Sequence, residues 1–421
     1  MKKSLLAVAA IGAFASAAQA QSSVTVYGVL DVGFQGVTTR GPVNTGSAAS
    51  PVVVPTNTNI TRFSGEGAQQ TSRLGFRGTE DLGGGMSAFF TAEFALAPTD
   101  ATLSGNGGNG LANRQTFVGL SKKGIGQGAI GTQYTPVHTA VGRTDPGAQN
   151  NMVGNVIYAT NASQGSGQTT TAYTVRYNNA LTLQTERYSG IQLNAIYNNN
   201  NSNANATSAL GGTNTSTSTT ATAGLQQSNS QAWGVGANFV WNKLNADAAF
   251  QSSKQKTINA GVEAAGAVPT AAVANTVNAP ANVLGTSAGM NTTYVGAVYD
   301  FGILKAYAQY LNFKTESNTN SNVYLQRSAQ QIGVRSFVTP TIEVWASGGT
   351  GRYSAAALNA TTNTSTARAT QNFTGYQLGS NYYLSKRTNM YAIFGATQVS
   401  GSSVNISEGA SSYGVGVRHT F

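Results

Sequence analysis

Residues 411–421 read SSYGVGVRHTF, and their alternation points to the fold. Tyr413, Val415, Val417 and Phe421 fall on one side of an extended chain; Gly414, Gly416, Arg418 and Thr420 fall on the other. The period is two, with one apolar face and one small, polar or charged face. A soluble sandwich could contain such a strand. A transmembrane barrel accounts for more of it: the apolar face meets lipid, the polar face meets water, and the closing aromatic joins an interfacial girdle.

The same pattern recurs along the chain. In residues 24–34, Val24, Val26, Leu30, Val32 and Phe34 lie opposite Thr25, Tyr27 and Asp31. In 72–80, Leu74 and Phe76 alternate with Arg73, Gly75, Arg77 and Thr79; in 86–96, Phe90, Phe94 and Leu96 oppose Ser87, Thr91 and Glu93. Trp233, Val235, Ala237, Phe239 and Trp241 give another clean apolar face. Further strands are expected at 113–121, 126–134, 172–177, 191–197, 245–255, 293–301, 304–313, 323–337, 342–352, 373–384 and 389–399. The total is about sixteen, an even number as single-chain bacterial barrels have, with fourteen and eighteen as the alternatives left by the weak pattern around 180–190. Tight joints such as Lys122-Lys123-Gly124, Asn242-Lys243 and Thr339-Pro340-Thr341 alternate with long polar ones at 35–70, 135–170, 198–230 and 256–290. Short periplasmic turns alternating with long outer loops produce that asymmetry. A solenoid or propeller would require a fixed repeat length, which these loops violate.

Composition agrees. Charged residues make up 9% of the chain, against about 25% in ordinary soluble domains. There is no apolar run of about 18 residues after the first twenty, so a spanning structure must be a closed barrel. Residues 1–20 read as a secretory signal: Lys2 and Lys3, an apolar run, then Ala18-Gln19-Ala20 as the cleavage site, leaving 21–421 as one barrel domain. Export through the periplasm to the outer membrane follows. The formal net charge of +10 is dispersed, with no basic stripe, so nucleic acid is not an expected partner. Cysteine is absent, which excludes disulfides and thiolate metal sites. The two histidines, His138 and His419, suggest neither a metal set nor a catalytic triad, and no enzyme activity and no cofactor are expected.

Several segments together resemble the Gram-negative general diffusion porins, in particular their β-proteobacterial branch. They are SSVTVYGVLDVG at 22–33, TSRLGFRGTEDLGGGMSA at 71–88, NRQTFVGL at 113–120, TVRY at 174–177, LSKRTNMYAIFG at 384–395 and GVGVRHTF at 414–421. The resemblance spans the chain from first strand to last, apart from its loops. It implies an all-β, antiparallel up-and-down barrel of sixteen strands, a homotrimer, and a third loop folded into the lumen. Lipid and lipopolysaccharide would surround it; small ions and hydrophilic solutes would pass through it. Phe421 would be the assembly signal read by the barrel-insertion machinery.

A passive pore needs a constriction and charges facing the water column. Arginine on the lipid face costs about 2–4 kcal/mol at mid-membrane, so arginines within strands should face inward. Strand parity makes Arg73, Arg77, Arg114 and Arg176 lumen candidates, with Glu93 on the same polar side of its strand. The resemblance places Arg73 and Arg114 at the eyelet. The 135–170 segment occupies the position of the constricting loop and carries Arg143 and Asp145, its only carboxylate. That balance leans toward anions. The alternatives are a substrate-specific anion or sugar channel, and an adhesin-like barrel that binds through its outer loops.

Overall fold

The computed structural model describes residues 23–44, 53–65, 67–104, 110–159, 172–204, 226–259, 262–263, 287–356, 368–400 and 408–421. Residues 1–20, the expected signal, lie outside the described residues. The strands are β1 (Ser23–Asn44), β2 (Val53–Ser64), β3 (Arg73–Gly83), β4 (Met86–Ala95), β5 (Asn113–Lys122), β6 (Gly126–Tyr134), β7 (Arg176–Thr185), β8 (Ile191–Ala204) and β9 (Gln226–Trp241). They continue as β10 (Leu244–Asn259), β11 (Val262–Glu263), β12 (Ala288–Asp300), β13 (Lys305–Ser317), β14 (Tyr324–Phe337), β15 (Ile342–Ala356), β16 (Ala369–Tyr383), β17 (Thr388–Ser400) and β18 (Glu408–Thr420). All belong to one antiparallel sheet, and β18 returns to pair with β1. Two of these elements are not barrel staves of their own. β11 folds back on the end of β10, and β2 and β3 share one edge of β1, so the closed barrel has sixteen staves.

That shared edge corrects the expectation of a loop across 35–70. β1 continues to Asn44, and β2 runs back along it, with Val53 opposite Asn44 and Ser64 opposite Gly33. β3 resumes lower down, with Arg73 opposite Val29. Between Ser64 and Arg73 the chain leaves the sheet. This excursion is held by Asp31, which accepts hydrogen bonds from Gln69 N (3.0 Å), Gln70 N (2.7 Å) and the Tyr391 hydroxyl (2.6 Å). Ser72 Oγ accepts from Asp31 N at 2.9 Å. Asp31 is fully buried.

Other expectations shift by less. The closing strand pairs with Val29–Arg40 of β1, so its partner strand runs on past the expected end at 34. The strand expected at 172–177 begins instead at Arg176 and continues to Thr185, through the weakly patterned stretch. Strand pairing extends into the Asn/Ser/Thr-rich 198–230 region from both sides, because β8 and β9 remain paired out to Ala204 and Gln226. Polar residues can propagate a hairpin whose ladder is already nucleated below. The tight joints fall where expected; Asn242 takes φ 49°, the left-handed conformation that a two-residue hairpin turn demands and asparagine tolerates.

The barrel is apolar outside and polar inside. Val118, Ile130, Leu183, Val235, Ile332 and Leu378 are exposed, while Asp247, Gln251, Arg327, Gln331, Gln377 and Asn381 are buried. Phe421 completes the closure: its N–H and carbonyl exchange hydrogen bonds with Gly28 at 3.1 and 3.0 Å, and its ring covers the bare Gly28 backbone.

The described part of the 135–170 connection is not an irregular loop throughout. Its first turns form α1 (Pro136–Thr144). Thr135 caps the helix by accepting from His138 N at 3.2 Å, and Pro136 sits in the first turn, where no N–H is needed. α1 lies against β8, β9, β10, β12 and β13. Beyond it, the chain to residue 159 follows the polar face of β14, β16 and β18.

Asp31 ties β1, β17 and the excursion together, so removing its carboxylate leaves buried donors without partners. Asp31→Ala should lower stability by about 1–3 kcal/mol. Thermal unfolding in detergent measures this; an unchanged midpoint would show that the excursion does not depend on Asp31.

Candidate functional site

Strand parity brings four arginines to one stretch of the inner wall. Arg73 and Arg77 come from β3, Arg114 from β5 and Arg176 from β7. Glu93 of β4 stands among them, its backbone directly opposite Gly75 and Gln115. Arg114 Nε donates to Glu93 Oε1 at 2.8 Å, and Arg73 Nη1 lies 4.0 Å from the same oxygen. The Tyr27 hydroxyl donates to Glu93 Oε2 at 3.2 Å. Arg114 Nη2 also donates to the Tyr134 hydroxyl at 3.0 Å.

Aromatic faces take up the remaining positive charge. Arg77 sits 5.4 Å from the Tyr27 ring centre, and Arg176 sits 5.0 Å from that of Tyr134. Such contacts favour a guanidinium held out of bulk water. The Tyr27 ring can lie flat on the sheet because Gly75 beside it has no side chain. The result is four guanidinium groups along one stretch of wall, two of them on a single carboxylate and two on aromatic rings. A like-charged cluster partly shielded from water projects a strong field into the space it faces.

The segment following β6 approaches this cluster with its first helical turn. The His138 ring centre lies 4.5 Å from that of Tyr134, and its Nδ1 is 3.4 Å from the Tyr173 hydroxyl. Burial, and then the positive charges of Arg176, Arg114 and Arg73, hold His138 well below its ordinary pKa. It is neutral in the folded barrel.

The remaining two candidates serve different surroundings. Arg143, in the last turn of α1, donates to Asp247 Oδ1 of β10 from Nε (3.0 Å) and Nη2 (2.6 Å). Asp145 is buried and accepts from Gln149 N (2.6 Å), Asn155 Nδ2 (2.8 Å) and Gln331 Nε2 (3.2 Å). Burial pushes its carboxyl up, and those hydrogen bonds pull it down.

The chain then runs along the wall in steps. Thr144 shares a hydrogen bond with Tyr294 of β12. Asn150 exchanges two bonds with Gln377 of β16, 2.9 and 3.1 Å long. Asn151 Nδ2 donates to Gly67 O (2.8 Å) and Thr71 Oγ1 (3.1 Å) of the excursion, and Val153 N donates to Ser412 Oγ of β18 at 3.1 Å. It then turns back, and Val156 N donates to Gln331 Oε1 of β14 at 3.1 Å. Strand glycines lie beneath it. A Cβ at Gly296, Gly333 or Gly375 would stand 2.7, 2.5 or 2.8 Å from Thr144, Pro146 or Val156 side-chain atoms. Only bare backbone admits the segment this close.

Parity arguments found the arginines and Glu93 but not the groups that hold them. Tyr27 falls on the polar side of its strand, a visible signal; Tyr134 and the amides Gln331 and Gln377 carry no signal in sequence. Among the described residues no three His, Asp or Glu side chains converge as a metal site. His419, bonded to Thr388 at 2.9 Å, stands apart from His138.

A closed sixteen-stave barrel with an apolar outer face and a charged inner wall defines an outer-membrane barrel, and similarity gives its family. The Gram-negative porin family profile matches residues 7–402, and the chain belongs to that family. It is 34% identical over 203 residues to an outer membrane porin protein of Bordetella pertussis, covering 47% of this chain and 48% of that one. It is 37% identical over 137 residues to outer membrane porin protein 32 of Delftia acidovorans, covering 32% and 33%. The chain thus spans about half the length, or less, of the curated relatives it matches. Among solved structures, the anion-selective porin from Comamonas acidovorans superposes with a TM-score of 0.58 at 20% identity, covering 95% of this chain and all of that one.

The neutral state of His138 carries a pH dependence. In the undocked segment His138 takes up a proton below about pH 6.5; in the docked segment it does not. The opened state then binds more protons, so docking weakens as pH falls, by about 1.4 kcal/mol per unit below that point. Amide-exchange protection over 136–144, corrected for intrinsic rates, should drop between about pH 7.5 and about pH 5.5, and His138→Gln should remove the drop. Equal protection at both values would contradict this.

Proposed function

We propose that the barrel is a passive diffusion channel of the outer membrane, open to small hydrophilic solutes and ions and weakly selective for anions. The observation that carries this reading is the inner wall, where Arg73 and Arg114 share the carboxylate of Glu93 while Arg77 and Arg176 stand on the neighbouring Tyr27 and Tyr134 rings. The described part of the 135–170 connection, residues 135–159, folds into the lumen and narrows it. Its contacts follow the wall from β8 round to β18 and the excursion, so the free passage lies between it and the arginines. Arg143 and Asp145 contribute little to the field there: Arg143 is paired with Asp247, and Asp145 is enclosed by amide donors. The selectivity comes from the arginines.

In this reading the chain works without a cofactor or a catalytic group, as a homotrimer surrounded by lipid and lipopolysaccharide. Phe421 is both the closing residue and the signal for barrel insertion.

Reversal potentials in planar bilayers under a salt gradient test the channel. The wild-type protein should conduct with a chloride preference. Glu93→Gln should raise the chloride-to-potassium permeability ratio and Arg73→Gln should lower it, each by about two- to threefold. A cation preference in the wild type would refute the selectivity, and absence of conductance would refute the channel itself. Phe421→Ser should reduce the yield of assembled barrel several-fold while leaving the conductance of assembled pores unchanged. Normal yield would remove Phe421 from assembly.

A further inference from the structure

β14 carries an arginine whose position stability alone does not explain. Arg327 is fully buried on the inner wall, within an apolar cluster that includes Phe313, Leu325, Tyr353, Phe373 and Ile157. Its Nη2 donates to Val156 O at 2.5 Å and its Nε to the Tyr353 hydroxyl at 3.1 Å. The guanidinium lies 4.6 Å from the centre of the Phe373 ring and 5.6 Å from that of Tyr353. Nη1 has no hydrogen-bond partner among the described residues.

Burying a guanidinium is costly, and an apolar residue of similar volume would usually serve stability as well or better. An apolar residue cannot give direction. Gln331, four residues along the same face of β14, accepts from Val156 N at 3.1 Å. The two side chains therefore hold both backbone groups of one residue, Arg327 its carbonyl and Gln331 its amide. The Val156 side chain is seated as well, its Cγ1 2.8 Å from where a Cβ on Gly375 would stand and its Cγ2 over the bare backbone of Gly349. Val156 lies just past the point where the segment turns back from β18, so this is where its return path is fixed.

We propose that Arg327 and Gln331 form a backbone clamp on Val156 that sets how far the segment of residues 135–159 projects toward the arginine wall, and so sets the width and steadiness of the pore. Arg327 is a positioning residue: it acts through the segment and does not meet the permeating ion. The planar guanidinium is suited to this because it meets a carbonyl, a hydroxyl and two ring faces at once, which a lysine ammonium cannot do. The inference rests on reading the segment as the constriction.

The test compares single-channel recordings of wild type, Arg327→Met and Arg327→Lys in the full-length assembled protein. Arg327→Met should raise open-channel current noise by about twofold or more, increase mean conductance and reduce chloride preference, while the barrel keeps its heat-dependent mobility in detergent. Arg327→Lys should fall between the two. Gln331→Met, which frees the Val156 amide instead of its carbonyl, provides the control that a merely structural role would not pass. It should raise the noise as Arg327→Met does, and the double variant should add little to either single change, because both act on one residue of the segment. Noise that simply adds in the double variant would overturn the clamp. If Arg327→Met does not assemble, Arg327→Lys is read alone, and noise equal to wild type overturns the clamp. Wild-type behaviour of Arg327→Met overturns it directly. A wild-type protein without conductance would instead remove the channel reading beneath it.

Discussion

Hydrocarbon offers no hydrogen bond to a peptide group, and the whole molecule follows from that constraint. Every strand in the membrane needs a neighbour on both sides, so β18 must find β1 and the sheet must close. Closure turns one face of every strand outward to lipid and the other inward. The interior is then the place for polar groups, and a chain with only 9% charged residues fills it largely with amides and hydroxyls. Gln309, Gln331, Gln377, Asn381 and Asn389 are buried there, in positions that in a soluble core would carry aliphatic side chains.

The inner wall divides into two chemistries. Along β3 to β7 it is cationic, and its arginines are kept from mutual repulsion by Glu93 and by the Tyr27 and Tyr134 rings. Along β12 to β18 it is a docking surface of amides, glycines and apolar cluster residues on which residues 144–156 rest. The two halves face each other across the barrel. In the proposed channel, that separation lets the segment be held by one wall while the charged wall stays open to water. The four arginines outnumber Glu93, and no described part of the segment brings a second free carboxylate to them.

The segment itself depends on missing side chains. Gly296, Gly333, Gly349, Gly375 and Gly414 interrupt the inner wall where it passes, on β12, β14, β15, β16 and β18. The excursion between β2 and β3 is the second inward element, and Asn151 joins the two. Each is anchored by a buried carboxylate that accepts backbone N–H groups: Asp31 for the excursion and Asp145 for the segment. Turning the chain inward between Ser64 and Arg73 costs β1 only a short gap in its ladder.

The sequence by itself determined the closed barrel, the inward side of each strand and the sign of its charged wall. Period-two alternation assigns faces from local order alone, and the cost of arginine in lipid removes the other choice, so Arg73, Arg77, Arg114 and Arg176 were legible from parity. The tight turns were legible for the same reason, since Asn242-Lys243 carries its conformation in two residues. The extension of β1 and β2 into a Ser/Asn/Thr/Pro-rich stretch was not legible, because polar strands beyond the membrane are held by the ladder below them rather than by any pattern of their own. Nor was the shift of β7 to Arg176, where periodicity is weak. The tertiary structure alone decided which carbonyl Arg327 holds, which glycines lie beneath the segment, and that Asp145 is enclosed while Glu93 stands among arginines. Most of those contacts join residues far apart in the chain, and closure of the sheet, not local sequence, brings them within reach.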